Sequence, residues 1–348
     1  MTVSVLVSFH NHEGLVRRVA EAVLGQDYED FEAVFVDDAS TDGSWAVLQA
    51  VLGEWKNRAR CQIKCLRNER NLGIVGTFNR LMEESSGEIC ITQCGDDLAH
   101  PDRVSKIVRH WTEASAAHPE IVAAVSRCNL VDEEFRLVRA YERAPEQEVW
   151  TVRTGEQVYD GHLSLHGAAL AYSRKLWTKF GPLDPAGKFE DELMWYRIVL
   201  SGSMLIIRES LLDYRCAGGA STRYRTSIAD TAKVAVKQER SYVQMQHDLE
   251  RVRGILPAAR VKRYAAELAS DLRRQKLLVD LLTKRGTERR QAIRDWRQAA
   301  KDDRSLRRLG AFALPRPLPA LLVWLRGTWC NLRRGTRLRR LVAVLERE

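Results

Sequence analysis

A chain of 348 residues, 45% hydrophobic and 29% charged, has the make-up of a globular protein and is long enough for one large domain or two ordinary ones. Its net charge of +9 is unevenly spread: residues 228–348 hold 29 Lys and Arg against 13 Asp and Glu, which leaves residues 1–227 at −7. That asymmetry argues against one uniform surface and predicts an acidic front module and a basic rear module with different partners.

The chain opens on VSVLVSF, residues 3–9, a short apolar run of the kind a buried parallel strand carries. The start, MTVSVLVSFHN, is too short and too uncharged for a secretion signal. Residues 14–25 read as a helix with Leu15, Val19, Ala22 and Val23 on one face. Phe31 to Val36 is a second buried strand and runs into DDASTDGS; residues 44–54 are the next helix. Cys61 to Leu66 predict a third strand, followed by a turn and the helix of NLGIVGTFNRLMEES. Residues 88–93 are a fourth strand, 102–117 a helix and 121–128 a fifth strand. This alternation predicts an α/β fold with a mainly parallel sheet covered by helices, and ligands bind such sheets beyond the carboxyl ends of the strands. Three polar clusters fall there: Ser8-Phe9-His10-Asn11, Asp37-Asp38 and Asp96-Asp97.

Residues 129–165 mix short alternating runs with polar loops, as hairpins or an inserted loop would. Residues 168–180 read as a strand entering a helix closed by Gly181-Pro182, then a helix through Leu193, Met194, Tyr196, Ile198 and Val199 ends at Gly202, before a strand at 203–207. From about residue 226 the pattern is helical: 228–253, 258–285 and 287–302. Residues 309–325 are apolar but hold three prolines and Arg316, too broken for a membrane span of about 20 residues. The expected organisation is one α/β domain over 1–225, divided into 1–128 and 129–225, and a basic helical region over 226–348.

Seven cysteines (Cys61, Cys65, Cys90, Cys94, Cys128, Cys216 and Cys330) form no zinc-like pairing. Their odd number, with the absence of a signal-like start, predicts a reducing, cytoplasmic setting. Adjacent carboxylates such as Asp96-Asp97 at a strand end repel one another, and a divalent cation holding a diphosphate would relieve that conflict. A solvated turn is the plainer reading of the pair alone.

Four features in order resemble the family 2 glycosyltransferases of the GT-A fold. They are VSVLVSFHNHEGLVRRVAEAVLGQDYEDFEAVFVDDASTDGS, RNERNLGIVGTFNRLMEESSGEI, the GDD that ends at Asp97, and FEDELMWYR, spread over about residues 3–222. The resemblance implies an inverting enzyme that uses a nucleotide-diphospho-sugar, UDP- or dTDP-linked, with Mn²⁺ or Mg²⁺ as cofactor. By the same resemblance Ser8 and His10 line the base pocket on the Asn11 loop, Asp38 accepts from a base N–H, and Asp37 orients the loop or the ribose. An Asx turn capping the helix at 43 is the alternative for Asp37-Asp38. Asp97 is expected to ligate the metal, with Asp96 on the ribose or on a metal-bound water. Asp191, or else Glu190, is expected to be the base that takes the acceptor hydroxyl's proton, in a single displacement that inverts the anomeric centre.

Arg223 and Arg225 are candidates for clamping the diphosphate, a solvated basic loop being the alternative. His166 and Trp195 are expected on the acceptor side, although a lone His is often structural. Two positions depart from the family pattern: Leu193 stands where a second Asp is common, and Ala217 where a further metal-ligating His is common. A nucleotidyltransferase is disfavoured because SFHNHEG offers only Gly14 for a phosphate loop, and a dehydrogenase because no G-x-G-x-x-G follows the first strand. A degenerate sugar-nucleotide-binding scaffold is the non-enzymatic alternative.

The basic rear lacks a nucleic-acid recognition motif, so nucleic acid is not an expected partner. Attachment to an anionic membrane surface suits the Arg-flanked apolar run with Trp324 and Trp329 nearby. Packing on the catalytic domain, or a homodimer through the helices, is the competing expectation. The acceptor implied is a glycan or a lipid-linked sugar of the cell envelope.

Overall fold

The computed structural model describes residues 1–161, 167–216, 227–303 and 306. In order, the first half contains β1 (Val3–Phe9), α1 (Glu13–Leu24), β2 (Phe31–Asp37), α2 (Ser44–Trp55), β3 (Gln62–Arg67), α3 (Gly73–Glu84), β4 (Ile89–Cys94), the two-residue β5 (Leu98–Ala99), α4 (Arg103–Ala117) and β6 (Ile121–Val131). There follow β7 (Leu137–Arg139), β8 (Trp150–Thr154), α5 (Gly155–Asp160), a 3-10 turn at Gly167–Ala169, β9 (Leu170–Ser173), α6 (Arg174–Phe180), α7 (Glu190–Ser201) and β10 (Ser203–Arg215). The rear is α8 (Ile228–Arg251), α9 (Ala258–Thr283) and α10 (Gly286–Asp302). The described residues form two compact units, one of residues 1–185 and 189–216, the other of 186–188 with the rear helices.

The front unit is built on a ten-stranded sheet in the order β3-β2-β1-β4-β9-β6-β10-β5, with β7 on β6 and β8 on β10. The long pairings, β1 with β2 and β4, β2 with β3, and β6 with β10, are parallel. The short strands β5, β7, β8 and β9 run antiparallel to their neighbours. β1 sits between β2 and β4, so the chain leaves it in opposite directions across the sheet, and a crevice opens at the carboxyl ends there.

β1 is buried on both faces, with Val3, Val5, Val7 and Phe9 on one and Ser4 and Leu6 on the other. Val3, Val5, Val7 and Phe9 pack with Val16, Val19 and Val23 of α1, Leu48 and Val51 of α2, and Val104, Ile107 and Trp111 of α4. Phe9 and Phe35 stack at 6.4 Å within this core. On the opposite face Phe78 of α3 meets Tyr172 and Trp177 edge-on at 6.1 and 6.2 Å. Each fully buried Val or Phe contributes about 1.5–3 kcal/mol, so these two layers fix the strands whose ends carry the site.

The last strand of the unit is longer than its sequence pattern suggests. β10 continues through RESLLDYR, and its pairing with β6 shifts register between Ile207 and Ser210 and again between Ser210 and Asp213. Such bulges break the strict alternation by which a strand is recognised in sequence. The polar residues that mask it are engaged: Glu209 pairs with Lys106 and His110, and Asp213 with His100 at 2.8 Å. Among the described residues, no helix is long and apolar enough to cross a membrane.

Candidate active site

The registers Ser8↔Cys94 and Phe9↔Asp37 bring the ends of β1, β2 and β4 level, so the three polar loops emerge together. His10 Nδ1 lies 2.8 Å from the Asp38 carbonyl oxygen, and Asn71 Nδ2 lies 3.0 Å from His10 Nε2. The pair of contacts is satisfied with the proton on Nδ1. Asn11 takes a positive φ of 55° and its side-chain oxygen accepts from Thr41 N at 2.8 Å. Ser8 and His10 are half-buried at the mouth.

Asp37 and Asp38 are buried and do different work. Asp38 Oδ1 accepts from Asn68 Nδ2 and Leu72 N, both at 2.7 Å, and Oδ2 accepts from Gly73 N at 2.9 Å. Its charge therefore sits on the N-terminus of α3, where the helix dipole favours an anion. Gly73, at φ +73°, supplies the left-handed step that aims those N–H groups. Asp37 Oδ2 accepts from Ser40 N and Arg67 Nε, both at 3.1 Å, while Oδ1 has no partner. Neither caps the helix at 43, as the Asx-turn reading would have it. Asp42 does so, with Oδ1 accepting from Ser44 N at 3.0 Å.

At the end of β4, Gln93 Nε2 donates to the carbonyls of Cys94 and Asp97 at 3.0 and 2.8 Å and clamps the turn between them. Gly95 is required there, since an added Cβ would stand 2.6 Å from Ser8 O, Phe9 Cδ1 and His12 Nδ1. Asp97 is 2% exposed, and its Oδ1 accepts from Arg215 N at 2.9 Å; Asp96 is the more open of the pair. Burial and the neighbouring Asp96 push the Asp97 carboxyl well above its usual range. Burial lowers the His12 imidazole against the pull of Asp96. Cys94 Sγ and one oxygen from each of Asp96 and Asp97 lie within 4.8 Å of one another. Two crowded carboxylates that resist shared ionisation are a donor set that fits a divalent cation.

The second acid pair, Glu190 and Asp191, begins α7, whose dipole also favours anions. The chain at Gly167 runs against both: a Cβ there would lie 3.1 Å from Asp191 Oδ2 and 3.2 Å from Glu190 Oε1. That turn is held from β4 and α4. Thr92 Oγ1 reaches Gly167 O at 2.6 Å, and Arg103 Nη2 donates to Thr92 O at 2.8 Å and Ala168 O at 2.6 Å. Arg103 Nη1 also holds Gln93 Oε1 at 2.6 Å, so one buried guanidinium braces both acid-bearing turns. Burial, then the Asp191 charge, push Glu190 up to about 8. Cys94 feels Asp97, Asp96, Glu190 and Asp191 alike, and with burial they hold its thiol well above the ordinary range. Both acid pairs thus act electrostatically on one thiol.

Trp195, one turn along α7 from Asp191, stacks on Tyr159 at 5.8 Å. Leu193 is fully buried, which explains an apolar residue there. His166, Ala217, Arg223, Arg225 and the apolar run 309–325 lie outside the described residues. Sequence reasoning missed Cys94, Gln93, Arg103, Gly167 and Tyr172 as parts of the site. Arg103 alone left a trace, as a charge among the apolar positions of a helix's first turn.

The family profile described as glycosyl transferase family 2 matches residues 4–179, which stops short of α7. An uncharacterized glycosyltransferase of Nostoc is 25% identical over 242 residues, 69% of this chain and 71% of that protein. The UDP-Glc:α-D-GlcNAc-diphosphoundecaprenol β-1,3-glucosyltransferase of Escherichia coli is 23% identical over 111 residues, 32% of this chain and 41% of its own. Among solved structures, a mannosyltransferase of Pyrobaculum calidifontis in complex with GDP-Man and Mn²⁺ has a TM-score of 0.52 at 15% identity. The superposition covers 96% of this chain and 86% of that one and shows a shared fold. A profile match over half of the sequence, on a sheet of the GT-A kind, makes this chain a glycosyltransferase and a member of glycosyl transferase family 2.

Proposed function

We propose that the enzyme moves a sugar from a UDP- or dTDP-sugar to a glycan or lipid-linked acceptor, with inversion at the anomeric carbon. One observation carries the reading: the Asp96-Asp97 turn and the Gly167 turn that abuts Glu190-Asp191 are held by one buried side chain, Arg103, which braces both acid pairs beside the end of β4. A diphosphate leaving group and a hydroxyl nucleophile need those two kinds of help, at opposite sides of the sugar. The names of the E. coli and Pyrobaculum relatives, with a UDP-sugar, a lipid-linked acceptor and Mn²⁺, are consistent with it.

In this reading Ser8 and His10 receive the base on the loop shaped by Asn11. Asp38 has its oxygens filled by three N–H groups and acts by positioning α3, and the fully buried Asp37 orients the loop through Ser40 N and Arg67. Asp96 and Asp97 would hold Mn²⁺ or Mg²⁺, with Asp96, the more open, toward the diphosphate. The cation supplies charge neutralisation as the nucleotide leaves. Arg223 and Arg225 are assigned to the diphosphate, and Trp195 and His166 to the acceptor, from the sequence.

Asp191 is the base. Burial and the Asp191 charge push Glu190 up to about 8, so the pair does not carry two full charges at neutrality. Asp191 takes the acceptor hydroxyl's proton, and the oxygen attacks the anomeric carbon from the face opposite the nucleotide. The bond to the phosphate oxygen breaks with its electron pair, and one displacement inverts the centre. The basic rear is assigned to the anionic inner face of a membrane.

Melting the protein with UDP, dTDP or GDP, each with Mn²⁺, tests the donor site. Saturation at 100 times Kd is expected to stabilise by about 2.7 kcal/mol. No shift with any nucleotide removes the assignment. A hydrolysis screen over nucleotide sugars then names the sugar.

A further inference from the structure

Cys94 ends β4, with its Sγ inside the cluster formed by the Asp96 and Asp97 carboxylates. Beside it stands a second anomaly. Tyr172 of β9, which pairs with Cys90 of β4, is fully buried, yet its hydroxyl has no hydrogen-bond partner. Buried hydroxyls are nearly always paired, and an orphan marks a missing ion, water or ligand. Sulfur and two carboxylates therefore converge on one small volume at the end of the strand that Tyr172 borders.

We infer that Cys94 is a third protein ligand, with Asp96 and Asp97, for the divalent cation of the donor site, and that it biases the site toward thiophilic cations over Mg²⁺. This rests on the donor-site reading above. Mg²⁺ takes oxygen ligands, whereas a thiolate favours Mn²⁺, Co²⁺, Zn²⁺ and Cd²⁺ increasingly as the ion softens. On coordination one sulfur–metal bond forms, the S–H bond breaks, and the proton leaves to solvent; nothing is oxidised. Cys128 and Cys216 also lie in the field of Asp97 but stand outside the three-residue cluster, so they serve as controls.

The test adds Co²⁺ to the full-length protein in the presence of UDP and reads the near-ultraviolet thiolate-to-cobalt charge-transfer band. The band is expected in the wild type and in Cys128→Ser and Cys216→Ser, and lost in Cys94→Ser. By calorimetry Cys94→Ser is expected to weaken Cd²⁺ about tenfold or more while leaving Mg²⁺ nearly unchanged. A wild type that binds Co²⁺ without the band, or a band that survives in Cys94→Ser, overturns the inference and leaves the donor site standing. A wild type that binds no cation with UDP overturns both. The wild-type spectrum decides whether a thiolate is bound even where a variant fails to fold.

Discussion

At the head of α7 two carboxylates press against the Gly167 turn, and one of them holds its proton up to about pH 8. The raised value has a consequence for stability. Between the ordinary 4.5 and about 8, the folded chain keeps a Glu190 proton that the unfolded chain has released. The contribution is complete below the unfolded value and is lost as pH rises toward the folded one. The free protein is therefore expected to lose up to about 1 kcal/mol per pH unit across that window. Glu190→Gln, neutral throughout, is expected to flatten this slope in urea melts at pH 5, 6.5 and 8. Parallel slopes for variant and wild type contradict the assignment. Asp191→Asn tests the partner: as the base, its loss is expected to cut kcat by about 10²–10⁴ with nucleotide-induced stabilisation unchanged. Turnover close to wild type moves the base elsewhere.

Elements explain why the site forms where it does, and which parts of it a sequence can disclose. The parallel core strands were legible because short segments rich in Val, Ile and Phe alternate with helical ones, and α1 to α4 because their apolar stripes follow the helical period. The acid pairs were legible because like charges at strand or helix ends have few packing reasons to be there. The braces were not. Asp38 acts on α3 through residues 34 and 35 positions away, and Arg103 joins Gln93, 10 residues before it, to Ala168, 65 residues after it. Neither contact leaves a local pattern. Cys94 likewise reads as an ordinary strand-end thiol until Asp96 and Asp97 fold back beside it. The brace at Asp38 carries its own expectation. Asp38→Ala leaves Leu72 N without its acceptor and removes one of two acceptors from the Asn68 amide and from Gly73 N, and an unsatisfied buried donor costs about 1–3 kcal/mol before relaxation. A lower denaturation midpoint, with weakened UDP binding from a displaced Asn71–Gly73 turn, is the expected result. Unaltered stability means that water or Asn71 replaces the carboxylate.

The whole molecule joins an acidic catalytic unit to a rear whose net charge is +16 over residues 228–348. Half of that excess, +8, falls in residues 303–348, with the Arg-flanked apolar run. Helices that served only to pair with a second copy would have no need to concentrate arginine at one end of the chain. An anionic bilayer gives such a distribution a use, at about 1 kcal/mol for each Lys or Arg held near the surface. It would also bring the enzyme to the lipid-linked acceptor proposed above. The full chain is therefore expected to co-sediment with vesicles containing phosphatidylglycerol at low salt and to be released as salt screens the charges. Vesicles of neutral lipid are expected to leave it in solution. Removing residues 303–348 is expected to abolish sedimentation while Mn²⁺-dependent UDP stabilisation persists, because the donor-site residues all precede the cut. Vesicle binding that survives the deletion places the contact on α8, α9 or α10. A truncated chain that also loses a concentration-dependent dimer assigns the rear to self-association instead.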